Sequence, residues 1–154
     1  MKIGIGQDSH RIDYNNKEKN LILGGIIFEE DYSLSANSDG DVILHAITNA
    51  ISGITCVNIL GEIANNMCKQ GITNSEEYLK EALKYLKEQI NNVSISIECK
   101  KPKITPKIPD MRKNIARILN IDESCVGITA TTGEELTEFC KGNGISVFAC
   151  ITTK

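Results

Sequence analysis

The chain has 154 residues, 41% of them hydrophobic, and a formal net charge of −3. That length fits one domain, residues 1–154, with a core of its own. The mild acidity argues against a general binder of nucleic acid or membrane surface, while leaving room for a local basic pocket. Aromatic residues make up 5% of the chain and tryptophan is absent, which leaves few platforms for stacking single-stranded nucleic acid.

Six cysteines (Cys56, Cys68, Cys99, Cys125, Cys140 and Cys150) contain no Cys-x-x-Cys pair, the wrong spacing for a zinc ribbon or a thioredoxin-like motif. Met1-Lys2-Ile3 runs directly into strand-like sequence without a secretory signal, and no apolar run approaches the length of a membrane span. Reduced, mostly buried thiols in a cytoplasmic protein are expected. A plastid-type organelle after removal of a transit peptide is the second reading.

In chain order, residues 2–8 alternate and predict a strand, and Asp8 and His10 follow at a spacing of two. Residues two apart on a strand face the same side. After a polar loop over Asp13–Asn20, residues 21–28 predict a second strand, with Gly24-Gly25 marking a bend or bulge. Apolar residues at three-to-four spacing predict a helix from Asp39 to about Ser52 that carries His45. A shorter helix is predicted over 58–64 and a loop over 65–74. Ser75-Glu76-Glu77 then opens a clear helix, capped by Asn74 or Ser75, with Tyr78, Leu79, Ala82, Leu83, Leu86 and Ile90 on one stripe. Strands follow at Val93–Cys99, Val126–Thr131 and Ile145–Thr153. A proline-broken loop over 100–106 and a helix from Pro109 to near Asn120 lie after the first of these. The order predicts an α+β fold, a mixed β-sheet with helices packed on one face.

His10 and His45 are the only histidines. With Asp8 they form a candidate metal set, because two imidazoles and one carboxylate leave a tetrahedral zinc ion one open position for catalysis. Singly, Asp-x-His is a weak motif and His45 reads as a hydrogen-bonded core histidine. Asp41 either orients the His45 imidazole or, in the first turn, complements the helix dipole. The turn Asn37-Ser38-Asp39-Gly40-Asp41 either offers amides and the Ser38 hydroxyl to an anion or simply caps the helix. Lys100, Lys101 and Lys103 either meet phosphate or form a solvated loop. In Ala130-Thr131-Thr132-Gly133-Glu134 the hydroxyls could hold phosphate oxygens and the carboxylate a magnesium ion; a plain helix cap is the alternative.

Taken together, these segments resemble the 2-C-methyl-D-erythritol 2,4-cyclodiphosphate synthase family of the non-mevalonate isoprenoid pathway, over nearly the whole chain. The marks are Ile3-Gly4-Ile5-Gly6-Gln7-Asp8-Ser9-His10, Leu23-Gly24-Gly25, Ser38-Asp39-Gly40-Asp41-Val42-Ile43-Leu44-His45-Ala46, Pro102-Lys103, Ile108-Pro109-Asp110-Met111-Arg112, Ala130-Thr131-Thr132-Gly133-Glu134 and Gly142-Asn143-Gly144-Ile145. The resemblance implies a homotrimer with sites between neighbouring subunits, and zinc on Asp8, His10 and His45. It implies a magnesium or manganese ion on Glu134, between the two phosphates of a cytidine diphosphate group. Thr131 and Thr132 match diphosphate and nucleotide positions, and Pro102 and Lys103 match part of the cytidine pocket. Ser38, Ala130 and Lys141 complete the implied substrate contacts, with Thr132 and Glu134 at the reacting phosphates. The implied reaction is intramolecular: the substrate's own phosphate attacks the β-phosphorus, closes a cyclic diphosphate and expels cytidine monophosphate. Such a reaction needs positioning and charge neutralisation rather than a side-chain nucleophile.

The chain departs from the family pattern at several positions. Asn37 stands where histidine is usual, and Asn49 where aspartate is usual. Ile59, or Asn58 in a slipped register, takes the place of the aspartate that holds the sugar diol, and Ala64-Asn65-Asn66 that of Phe-Pro-Asp. Gly133, Lys141 and Asn143 replace threonine or serine, arginine and glutamate. Two functional readings follow: a zinc-dependent cyclase, or a divergent non-catalytic relative that keeps metal and nucleotide binding without the sugar contacts. A generic zinc hydrolase stands third, since no general base accompanies the metal set.

Overall fold

The computed structural model describes residues 1–154. Its elements are β1 (Ile3–Asp13), β2 (Leu21–Leu23), β3 (Ile26–Phe28), β4 (Ser33–Leu34), α1 (Val42–Thr55), α2 (Glu62–Lys69), α3 (Ser75–Leu83), β5 (Ile90–Glu98), α4 (Ile108–Leu119), β6 (Val126–Thr131) and β7 (Gly144–Thr153). A five-stranded sheet runs β4-β1-β7-β5-β6. All its pairs are antiparallel except β5 with β6, which α4 joins by the crossover that a parallel pair requires. The predicted mixed sheet is therefore present.

Strand β1 decides where the site forms. Its even residues Gly4, Gly6 and Ile12 are buried while Ile3, Ile5, Gln7, Ser9 and Arg11 are exposed, so Asp8 and His10 share the face that α1 covers. A Cβ at Gly6 would lie 2.0 Å from the Ala46 carbonyl oxygen, and one at Gly4 would lie 2.1 Å from that of Ala50. Only hydrogen side chains let the helix lie this close to the strand. Helix α1 is apolar nearly all round, with Val42, Ile43, Leu44, Ala46, Ile47, Ala50 and Ile51 buried, because the sheet covers one side and α3 another. Each of the buried valine, leucine and isoleucine side chains contributes roughly 1.5–3 kcal/mol. The opposite sheet face carries no helix, and Ile3, Ile5 and Phe148 are exposed on it.

Several expectations need correction. Residues 21–28 form a hairpin rather than one bent strand: Gly24 and Gly25 both have positive φ, as a two-residue hairpin turn requires. The helix predicted over 58–64 is α2, Glu62–Lys69, reaching into the predicted loop. Its ends are favoured by Glu62 in the first turn and Lys69 in the last, and its polar outer face hides the periodicity. The stripe from Ser75 stops at Leu83, where successive i→i−3 bonds tighten the chain. Ile90 instead starts β5, earlier than the predicted Val93. All six cysteines are free, but only Cys99 and Cys140 are buried.

Candidate active site

The start of α1 is set by Asp41. Its fully buried carboxylate accepts from the amides of Leu44 at 3.1 Å, Gly24 at 2.9 Å and Gly25 at 2.6 Å. Burial pushes this carboxyl up to about 6 against the downward pull of those amides. Asp41 thus ties the β2–β3 turn to the helix cap. Its side chain makes no hydrogen bond to the His45 ring, whose partners are Asp8, His10, Ser38 and Ser75, so the orienting role considered above is overturned. The neighbouring turn is closed too: the amides of Asp39, Gly40 and Asp41 donate to Thr73, Ser38 and Asp39. None of the three is left to bind an anion.

One turn into α1, His45 meets β1. Asp8, His10 and His45 each offer one ligand atom, and these atoms lie within 4.8 Å of one another. The Asp8 Oδ2 oxygen is 2.9 Å from His10 Nε2 and 3.0 Å from His45 Nδ1, and the two nitrogens are 3.2 Å apart. Ligands about 2.0–2.1 Å from a tetrahedral zinc stand roughly 3.3 Å from one another, so this donor set fits such an ion with little movement. Burial works to raise the Asp8 carboxyl, but hydrogen bonds from both imidazoles outweigh it and hold Asp8 well below the usual carboxylate range. Burial also disfavours charge on His10, yet the bond and charge of Asp8 prevail and raise it. The outward nitrogens are engaged as well: His10 Nδ1 lies 3.1 Å from the Ser35 carbonyl oxygen and His45 Nε2 lies 2.7 Å from Ser75 Oγ. No local sequence signal points to Ser75, because its partner lies thirty residues away.

The three residues line a cavity of about 480 Å³ together with Asn37, Ser38, Asn49 and, from α2, Ala64, Asn65 and Cys68. Asn49 also donates to the Gln7 carbonyl oxygen at 3.0 Å. Ile59 is not among the lining residues; it is fully buried in the core, and Leu60 and Gly61 line the cavity at that turn. This position therefore offers the cavity no hydrogen-bonding group, and the departure from the family pattern at Ile59 stands.

Pro102, Lys103, Ala130, Thr131 and Thr132 come together around a second hollow of about 330 Å³. It shares no lining residue with the first. Glu134 and Lys141 are exposed outside both; Glu134 has a left-handed backbone, and Lys141 pairs with Glu138 at 3.2 Å. Lys100 reaches Glu135 at 3.3 Å, while Lys101 lies over the Tyr14 ring at 4.5 Å. Within one chain, the predicted residues thus form a metal pocket, a separate hollow and an exposed loop.

No helix is long and apolar enough to cross a membrane. The chain matches the YgbB family model over residues 1–154. It is 48% identical over 154 residues to the 2-C-methyl-D-erythritol 2,4-cyclodiphosphate synthase of Chlamydia trachomatis serovar A, covering 98% of this chain and 86% of that protein. The similarly named protein of Chlamydia caviae is 49% identical, with 98% and 88% covered. In three dimensions the chain is similar to IspF of Plasmodium falciparum in a CDP complex, with a TM-score of 0.80, 33% identity and coverage of 97% and 93%.

Proposed function

This chain belongs to the YgbB family, and from that membership we propose how its residues divide the work of a 2-C-methyl-D-erythritol 2,4-cyclodiphosphate synthase. It is a metal-binding lyase of isoprenoid precursor biosynthesis. Its reaction closes a cyclic diphosphate within a cytidine-diphospho-methylerythritol phosphate and releases cytidine monophosphate. The observation that carries this at the site is the convergence of Asp8, His10 and His45 on one cavity at separations that suit a tetrahedral ion.

In our assignment Asp8, His10 and His45 hold zinc. When bound, the ion supplies positive charge that offsets the phosphates and polarises a phosphoryl oxygen. Ser38 donates to a phosphate oxygen at the cavity wall. Asn37, Asn49 and Asn65 offer carboxamides, each both donor and acceptor, to the sugar hydroxyls. Pro102, Lys103 and Ala130 receive the cytidine, and Thr131 and Thr132 donate to the diphosphate. Glu134 would hold a magnesium or manganese ion, which would neutralise diphosphate charge, and Lys141 adds a cation. The substrate brings its own nucleophile, so these groups orient it and neutralise charge.

The site is best read as lying between subunits of a homotrimer. Two observations support this: the two hollows share no residue within one chain, and apolar Ile3, Ile5 and Phe148 lie on a sheet face without a covering helix. The partner is a small phosphorylated nucleotide, supported by the CDP complex of the Plasmodium protein. Bacterial relatives favour the cytoplasm as its place of work.

The test is turnover. Zinc-loaded protein with magnesium and the cytidine-diphospho-methylerythritol phosphate is followed by phosphorus NMR. Cyclic diphosphate and cytidine monophosphate should appear in equal amounts. Intact substrate in the presence of bound zinc would instead establish the non-catalytic relative.

A further inference from the structure

A histidine ligand is held in one tautomer by whatever its other nitrogen bonds. For His45 that partner is a side chain from a different helix. Ser75, the first residue of α3, is fully buried with its Oγ 2.7 Å from His45 Nε2. The same hydroxyl donates to Asp39 Oδ1, and the Ser75 amide donates to Asp39 Oδ2 at 3.0 Å. Asp39 is itself fixed, accepting from the Asp41 amide at 3.0 Å and donating its own amide to the Thr73 carbonyl at 2.9 Å.

The direction of the protons follows. An ionised carboxylate can only accept, so the Ser75 hydroxyl hydrogen points at Asp39. The Ser75 oxygen then offers His45 only a lone pair. Nε2 must carry a hydrogen to use it, which leaves Nδ1, the nitrogen facing Asp8 and His10, bare in the neutral ring. Ser38 Oγ is no substitute: it lies 3.5 Å from Nε2 and already accepts from the Gly40 amide. Nor is Ser75 needed as a helix cap, since Asn74 caps α3 by accepting from the Glu76 amide at 2.9 Å.

We propose that Asp39 and Ser75 are positioning residues for the metal centre, holding His45 through a carboxylate–hydroxyl–imidazole chain as the tautomer that ligates through Nδ1. This rests on the metal reading of Asp8, His10 and His45. It makes α3, which contributes no ligand, a determinant of metal affinity.

The test titrates the metal-stripped full chain with zinc against a chromophoric chelator, and records the visible spectrum of the cobalt(II)-substituted protein. Ser75→Ala is expected to weaken zinc binding about 10–100-fold and to change the cobalt bands. Asp39→Asn, which keeps the hydroxyl, should move both readouts in the same direction. Asn74→Ala removes the cap of the same helix and should lower stability while leaving zinc affinity within about twofold. Wild-type affinity and an unchanged cobalt spectrum in Ser75→Ala and Asp39→Asn would overturn the proposal, as would an equal loss in Asn74→Ala. If the wild-type chain itself bound no zinc, the metal reading would fall first and this inference with it.

Discussion

The metal pocket and the stretch from Thr131 to Lys141, assigned above to one site, are built on opposite plans. Around the metal set, every outward nitrogen is engaged, α1 is buried on nearly all sides, and Asp41 fixes the helix start with three amides. In the second region, Thr131 at the end of β6 and Thr132, Glu134 and Lys141 in the loop after it are exposed. Two of its carboxylates are paired at the surface, Glu138 with Lys141 and the Asn143 side-chain amide, and Glu135 with Lys100. A pocket that is rigid before anything binds can orient reacting groups at little further entropic cost. The first half is thus set within one chain, while the second, on the assignment proposed above, is completed by substrate and a neighbouring subunit.

The largest effect should come from the rigid half. His45→Ala removes a ligand, and turnover by phosphorus NMR is expected to fall on the order of 10³-fold, the equivalent of several kcal/mol of charge stabilisation. A loss under tenfold would mean that the ion is not central. Next, Gly6→Ala should push α1 off β1, because its Cβ would meet Ala46 O at 2.0 Å and Ala50 N at 2.3 Å. Overpacking of that kind costs about 3 kcal/mol, readable in urea denaturation, and zinc affinity should fall with it although no ligand is touched.

Glu134→Gln probes the other half. It should reduce turnover on the order of 10²-fold, in the range of one lost electrostatic contact, and shift Tm by no more than a degree or so as an exposed substitution. A large drop in Tm would erase the contrast between the two regions.

The smallest effect is on pH. In the metal-free protein, the depressed Asp8 carboxyl adds stability above its ordinary 3.8, lost as pH falls through the lower folded value. The raised His10 adds stability below 6.5, lost as pH rises through its folded value. Metal-free stability from this pair should therefore be greatest between 3.8 and 6.5. Zinc needs deprotonated ligands, so the gap in Tm between zinc-loaded and chelator-treated protein should widen as pH rises. A gap that narrowed would contradict the assignment.

Where local pattern and final contact coincide, the sequence could be read. Alternation in β1 put Asp8 and His10 on one face, and helical spacing put His45 on α1. Reading failed where tertiary contacts overrode local signals. The polar surface of α2 hid where that helix begins and ends, and strand pairing with β7 drew Ile90 out of the preceding stripe. Ser75 looked like a capping residue because its bond to His45 joins two helices across the fold. That Ile59 turns into the core, leaving Leu60 and Gly61 at the cavity wall, is likewise a direction that only the fold supplies.

Strand β7 sits in the middle of the sheet, pairing Ile3 with Thr152 on one edge and Ile90 with Thr153 on the other. The first strand and the last therefore have to find each other before the sheet can close. Such non-local pairing makes folding slow, and until β7 arrives, both β1 and β5 present open edges to other chains. A growing chain would hold its metal ligands long before it could hold the sheet together, so aggregation during synthesis should be governed by the arrival of the last strand.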